Sequence, residues 1–279
     1  MKHTSKIDLE NIETVGKLAA QKACAIIRKH YKQRDFVTSM KGESDLVTTA
    51  DLASEAAIKK IIRQHFPLHQ ILAEESDHSV DPRKGEVWII DPIDGTTNFA
   101  HGFPVFAVSI AFVSKGKILF GVIAHPLWKE TYTAVSGKGA YCNGEKISVS
   151  STKKLSQALL ATGFPYDRKE SDENNMAAFV RFELRSRCVR RPGSAATDLA
   201  QVACGRFDGF WEPGLHPWDV AAGILLVEEA GGKVTDYEGK KIKDFWNRQI
   251  VASNKKLHRV MLDTIAETRK KPLKSKNFL

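Results

Sequence analysis

Cysteine is sparse in this chain and nowhere paired. Cys24, Cys142, Cys188 and Cys204 are scattered without a C-x-x-C spacing, which argues against a thiolate zinc site and a disulfide framework and points to a reducing, cytoplasmic home. Long apolar runs are missing too. No segment reaches the uninterrupted length of a membrane span, so no membrane role is expected. The start, Met1-Lys2-His3-Thr4-Ser5-Lys6, lacks the apolar core of a secretory signal. There is no acidic excess: 42 Lys and Arg stand against 33 Asp and Glu, a formal net charge of +9. Such a surface attracts polyanions, although attraction carries no specificity. A hydrophobic content of 42% excludes a disordered or fibrous chain, and 279 residues allow two subdomains that share a core.

What is present concentrates in residues 87–101, V-W-I-I-D-P-I-D-G-T-T-N-F-A-H. Four apolar residues, Val87 to Ile90, read as a short buried strand stopped by Asp-Pro, too short for a buried helix. Asp91 and Asp94 flank Pro92, which fixes its own φ and disfavours helix at Asp91, so the chain turns and both carboxylates can face one point. Two carboxylates at one point repel unless a cation joins them. Gly95 permits close approach of a ligand, and Thr96, Thr97 and Asn98 can open a helix whose free N–H groups attract an anion. The competing account is an Asp-rich turn with Asp91 capping and Asp94-Gly95 in a type I turn.

Apolar residues at spacings of three and four (Ile12, Val15, Ala19, Ala23, Ile26, His30) predict a helix over 8–31 with Asp8 as N-cap. A polar, Gly-containing segment from Lys41 leads into a second helix over 51–65, where Asp51 is most simply a cap or first-turn carboxylate. Residues 105–113, 117–124 and 130–134 alternate and read as an antiparallel meander. The Gly-rich tract 137–144 lacks a G-K-[ST] ending, so it reads as a hairpin turning at Asn143-Gly144 rather than a phosphate loop. From about Ser150 strands alternate with helices, dividing the chain into an α+β half, 1–149, and an α/β half, 150–279. In the second half, strands are expected at 159–162, 188–190, 207–211 and 250–253, and helices at 174–186, from Ser194 to Gly205, from Pro217 to Gly231, and over 255–270. The third of these helices would turn Val220, Ile224, Val227 and Ala230 inward. Basic residues gather at Arg181, Arg185, Arg187, Arg190 and Arg191 and in a tail at Arg269, Lys270, Lys271, Lys274 and Lys276, mostly a solvated surface and a fraying end.

The string D-P-I-D-G-T-T-N-F resembles the first signature of the inositol monophosphatase family, Mg-dependent, lithium-sensitive phosphatases. W-D-V-A-A-G at 218–223 and A-E-E-S at 73–76 match further motifs in the family's order, and with Asp51 ahead and Gly193-Ser194-Ala195 between, the likeness spans nearly the whole chain. It implies an α/β fold with an α+β first half, packed as an α-β-α-β-α sandwich, and usually a homodimer. The implied metal ligands are Glu74, Asp91, the carbonyl of Ile93, Asp94 and Asp219, all hard oxygens that favour two or three Mg2+ per site, or Mn2+ in vitro. Glu74 is chosen over Glu75 because successive strand residues point opposite ways and Glu74 matches the family's ligand. Lys41 stands one residue out of step with the family's loop lysine.

The implied chemistry is hydrolysis of a phosphate monoester by direct attack of a metal-activated water, without a phosphoenzyme. Glu74, Thr96 and Asp51 would orient the water and take its proton, while Gly95, Thr96 and Thr97 grip the phosphate. Gly193, Ser194, Ala195, Glu212 and Asp219 would meet the substrate's hydroxyls, His216 is a further hydrogen-bonding candidate, and Arg190 or Arg191 would meet a second anionic group. The implied substrate is myo-inositol 1-phosphate; fructose 1,6-bisphosphate, nucleotide phosphates and histidinol phosphate are alternatives that several bacterial members take. A role of another class, binding RNA and the transcription machinery, is known among bacterial relatives and allowed by the positive charge, although the basic stretch 179–191 carries no recognisable RNA-binding motif.

Overall fold

A computed structural model describes residues 7–41, 46–76 and 78–270. Residues 42–45 of the expected polar segment, the first six residues, and the tail lysines Lys271, Lys274 and Lys276 lie outside the described residues. Helix α1 (Leu9–Gln33) opens where its cap says it should, the Asp8 carboxylate accepting the Asn11 N–H at 3.1 Å. Its buried stripe runs Ile12, Val15, Ala19, Ala23, with Ile27 rather than Ile26 completing it. Strands β1 (Thr38–Met40) and β2 (Leu46–Thr48) pair antiparallel. Helix α2 (Thr49–His65) follows, begun by a capping box in which Thr48 and Asp51 serve each other's backbone N–H.

Strand β3 (Gln70–Ala73) lies parallel to β4 (Glu86–Asp94), and after α3 (Thr96–His101) the chain runs β5 (Ala107–Ser114), β6 (Lys117–His125), β7 (Glu130–Val135), β8 (Gly139–Cys142) and β9 (Glu145–Lys146), all antiparallel. The expected meander and the Asn143-Gly144 turn are both there, with φ of 50° and 87° at the two turn residues. These seven strands form one sheet in sequence order. The later strands build a mixed five-stranded sheet: β10 (Leu159–Thr162), β11 (Cys188–Arg190), β12 (Gly209–Pro213), β13 (Lys233–Thr235) and β14 (Gln249–Ser253), ordered β11-β10-β12-β14-β13. Between them come α4 (Met176–Arg185), α5 (Ala195–Ala203) and α6 (Pro217–Glu229), and α7 (His258–Lys270) closes the described chain.

The layers are α-β-α-β-α. Helices α1 and α2 cover one face of the first sheet, α5 and α6 fill the space between the sheets, and α4 and α7 cover the far face of the second. Strand β4 shows why its sequence is apolar without interruption: Trp88 and Ile90 face the core under α1, while Val87 and Ile89 face the core around α6. Each such side chain removed from water stabilises the fold by roughly 1.5–3 kcal/mol.

One burial pattern and several boundaries differ from expectation. Helix α6 is buried all round, because it packs between two sheets rather than on one. Strand β12 begins at Gly209, since the Arg206 and Phe207 N–H groups both turn back to the Gln201 carbonyl that ends α5. Helix α7 begins at His258 because Lys255 takes a left-handed φ of 65°. No helix among the described residues is long and apolar enough to cross a membrane.

Candidate active site

Asp91 and Asp94 stand three residues apart, and on a regular strand that offset would send them to opposite faces. The strand does not stop at Asp91; it continues with one extra residue. Asp91 pairs with Ser109 and Asp94 with Ala107, so three steps on β4 match two on β5, a bulge at the Pro92-Ile93 step. The bulge turns both carboxylates to one side. Asp91 Oδ1 accepts the Ile93 N–H at 3.0 Å, which locks the bulge from within. Gly95 then adopts φ 96°, and a Cβ there would lie 3.0 Å from the Val105 carbonyl oxygen. Only glycine makes that turn without strain.

The third carboxylate arrives from more than a hundred residues away. Pro217 starts α6, and Asp219 in its first turn accepts the His216 N–H at 2.7 Å. Asp91, Asp94 and Asp219 each offer an oxygen within 4.8 Å of the others. Glu74, the residue after β3, hydrogen-bonds the Ile90 carbonyl through its N–H and brings its carboxylate beside Asp91. The Lys41 ammonium bridges the two adjacent acids, donating to Glu74 Oε1 at 3.0 Å and to Glu75 Oε1 at 2.5 Å, and Glu75 does not line the cleft.

Burial shapes the electrostatics of this group. Removal from water pushes Asp91 and Asp219 well above the usual carboxylate range, and neighbouring carboxylates push them further. Among the described residues neither has a cationic side chain as partner. Glu74 is raised to about 7 by burial, with Lys41 opposing and Glu75 adding. Burial also raises Asp94, to about 6, although Ser194 and the Ala195–Thr197 backbone hydrogen-bond it. Lys41 itself is held above its ordinary value: burial works against its charge, but Glu74 and Glu75 outweigh that. Asp51 is fully buried, raised by burial, and anchored by the Thr48 N–H at 2.9 Å. The Thr96 hydroxyl sits 3.1 Å from Asp51 Oδ1 and 2.9 Å from the Ile93 carbonyl oxygen.

Glu74, Asp91, Asp94, Thr96, Asp219 and Lys41 line a cleft of about 450 Å³, a volume suited to a small molecule rather than a peptide. Gly95, Thr96, Thr97, Gly193, Ser194 and Ala195 lie along it, as do Glu212 and His216. Asp51 lies buried behind Thr96 and is not part of the lining. The Asn98 side chain ties the two glycine loops together, donating to the Val105 and Pro192 carbonyls at 2.7 and 2.8 Å. His78 and His216 both pack against Trp218, with ring centroids 4.6 and 4.9 Å away, His216 stacked and His78 tilted. Burial, then Arg248, His78 and Lys41, depress His216 to about 4, which leaves it a neutral imidazole.

Two expectations change. Arg190 does not reach the cleft: it is exposed and its guanidinium meets Cys188 Sγ, whereas Arg191 lines the cleft with its guanidinium 5.8 Å from the Phe164 ring centroid. Adjacent residues at a strand end point opposite ways, so only one of the two can enter. The helix start at Ser194 is also not an open donor site. The Ser194 hydroxyl and the Ala196 N–H both bond Asp94 Oδ2 at 2.6 Å, because the free N–H groups and positive end of a helix N-terminus stabilise a nearby carboxylate.

Sequence reasoning missed Asp198, Trp246 and Phe164, which also line the cleft. Asp198 was within reach of pattern reading, being one helical turn beyond Ala195 on the same face of α5. The other two sit in loops with no local signal.

The comparisons with known proteins agree with this geometry. The model of the "Inositol monophosphatase family" matches residues 8–271. An inositol-1-monophosphatase of Synechocystis is 45% identical over 80% of this chain and 78% of its own. Nus factor SuhB of Salmonella typhimurium is 44% identical over 89% of this chain and 93% of its own. The solved inositol monophosphatase of Anabaena (Nostoc) superposes with a TM-score of 0.84 at 42% identity, covering 94% of this chain and 97% of that one. With two sheets layered between helices, a bulged Asp-Pro-Ile-Asp strand end and this span of similarity, the chain belongs to the inositol monophosphatase family of metal-dependent phosphatases.

Proposed function

We propose that the protein hydrolyses phosphate monoesters of polyols or sugars, myo-inositol 1-phosphate first among them, with Mg2+ as its cation. One observation carries the reading: three carboxylates from two distant stretches converge within 4.8 Å, desolvated and without a cationic side chain on Asp91 or Asp219. Buried anions so placed fit a divalent ion, and every candidate ligand is a hard oxygen. Asp91, Asp94 and Asp219 would hold one Mg2+; Glu74, Asp91 and the Ile93 carbonyl would hold another, with Asp51 and Thr96 beside a third. Mn2+ would substitute in vitro. When bound, the cations lower the pKa of water and neutralise charge on the phosphate.

The chain's own groups supply position and proton transfer. The Thr96 hydroxyl, fixed between Asp51 and the Ile93 carbonyl, orients the attacking water. Glu74, beside Asp91, would take its proton, with Asp51 as the alternative. Attack is direct and in line, without a phosphoenzyme. Backbone N–H groups of Gly95, Thr96 and Thr97 would face the phosphoryl oxygens, and Glu212, Gly193 and Arg191 would receive the alcohol portion, while Ser194 and Ala195 line that end of the cleft with their donors engaged by Asp94. A homodimer, a cytoplasmic home, lithium sensitivity and the division into halves 1–149 and 150–279 belong to the same reading.

Phosphate release from myo-inositol 1-phosphate, fructose 1,6-bisphosphate, a nucleotide phosphate and histidinol phosphate tests it. We expect Mg2+-dependent release, abolished by EDTA, with the highest kcat/KM on the inositol ester. Release that persists in EDTA overturns the reading. The relative named Nus factor favours a second role, binding RNA or the transcription machinery through the net charge of +9. RNA affinity across a salt series separates specific binding from plain attraction.

A further inference from the structure

Asp198 is the anomaly of the cleft. It is 1% exposed, and its Oδ1 is buried with no hydrogen-bond partner. Buried polar atoms in folded proteins are almost always paired, so an orphan that lines a cleft marks a place where a ligand atom belongs. Glu212 lines the same cleft from β12 at 9% exposure, and it is the strongest charged influence on Asp198. Among the described residues no hydrogen bond holds the Glu212 carboxylate either. The chain makes room for it: a Cβ at Gly163 would stand 2.1 Å from Glu212 Oε1. Arg191 bears on both carboxyls.

We infer that Asp198 is a specificity-determining residue that, with Glu212 on the same cleft, receives neighbouring hydroxyls of a polyol phosphate. This rests on the phosphatase reading above and deepens it. Both carboxyls are desolvated and line one cleft, so a carboxyl that keeps its proton donates and one that has lost it accepts. A run of hydroxyls satisfies that combination, because each hydroxyl both donates and accepts. A leaving group without hydroxyls strands both carboxyls unpaired, and sites of this kind reject such analogues strongly. The Arg191 charge beside the pair disfavours an ammonium-bearing ester.

The test compares kcat/KM for myo-inositol 1-phosphate and p-nitrophenyl phosphate at saturating Mg2+, in wild type, Asp198→Ala and Asp198→Asn. We expect the ratio of the two constants to fall roughly 10- to 100-fold in Asp198→Ala, chiefly through KM of the polyol ester. Asp198→Asn, which keeps an acceptor and gains a donor, recovers part of it. Deoxy-inositol phosphates keep the test decisive should the alanine variant fold poorly: one position, when removed, costs wild type a similar factor and costs Asp198→Asn less. An unchanged ratio, with both substrates falling together or neither moving, overturns the inference. Wild type that hydrolyses both esters with an unchanged variant ratio sinks only the role of Asp198, whereas wild type inert on both sinks the phosphatase reading with it.

Discussion

Stripped of divalent cations, the carboxylate centre becomes a pH-dependent weak point. Glu74 is displaced from 4.5 to about 7 and Asp94 from 3.8 to about 6, in both cases first because burial removes the water that would stabilise the anion. Asp91 and Asp219 are raised as well. A carboxyl whose folded pKa lies above its unfolded value contributes stability that is complete below the unfolded value and is lost as pH rises through the folded one. For Glu74 that window runs from 4.5 to about 7. Each unit of displacement is worth ~1.4 kcal/mol, so Glu74 alone withdraws about 3 kcal/mol once it ionises. In a chain of this size, that lowers Tm by roughly 5–10 °C. Mg2+ binds the ionised form and competes with protons, so its protection grows along the same pH axis. Thermal unfolding by circular dichroism, from about pH 5 to about pH 8 in EDTA and in Mg2+, checks this. We expect Tm in EDTA to fall as pH rises, and the Mg2+ increment to be small at the acid end and large at the basic end. A Tm that is flat or rises with pH in EDTA, or an equal Mg2+ increment throughout, refutes the reasoning.

Asp91→Asn removes a ligand shared by both proposed cation positions, and kcat at saturating Mg2+ is expected to fall by about 10³-fold or more; near-normal turnover would remove Asp91 from the mechanism. Arg191→Ala raises KM for the phosphate ester roughly tenfold, while exposed Arg190→Ala leaves it within about twofold, as steady-state kinetics on the pair will show. Trp211 is fully buried and donates its Nε1–H to Asn175 at 2.7 Å. Trp211→Ala is expected to cost about 3–5 kcal/mol in urea unfolding, from the cavity and the stranded amide together.

Local chemistry made much of the fold readable in advance. The Asp8 cap and the stripe behind it announce α1, Pro217 and Gly231 bracket α6, and Asn143-Gly144 turns a hairpin, because caps, turns and periodicity act over a few residues. The motif around Asp91 and Asp94 likewise announced a convergent acidic site. Strand β13, three residues long and directly after Gly231-Gly232, carried too short a pattern to see. Which of two adjacent arginines enters the cleft, which donors at the α5 N-terminus are already taken by Asp94, and that Asp198 lies orphaned beside Glu212 were decided by packing between elements far apart in the chain.

By itself, then, the sequence determined most of the elements and the turn that sets Asp91 and Asp94 toward one point, since these follow from short-range sterics and hydrophobic period, while the layer order and the remaining acids were implied by the resemblance to a known family. Only the tertiary structure decided the reach of each side chain and the desolvation of the carboxylates. Both depend on a bulge that reorients Asp91 against Asp94 and on two sheets closing over α6, which no local pattern encodes.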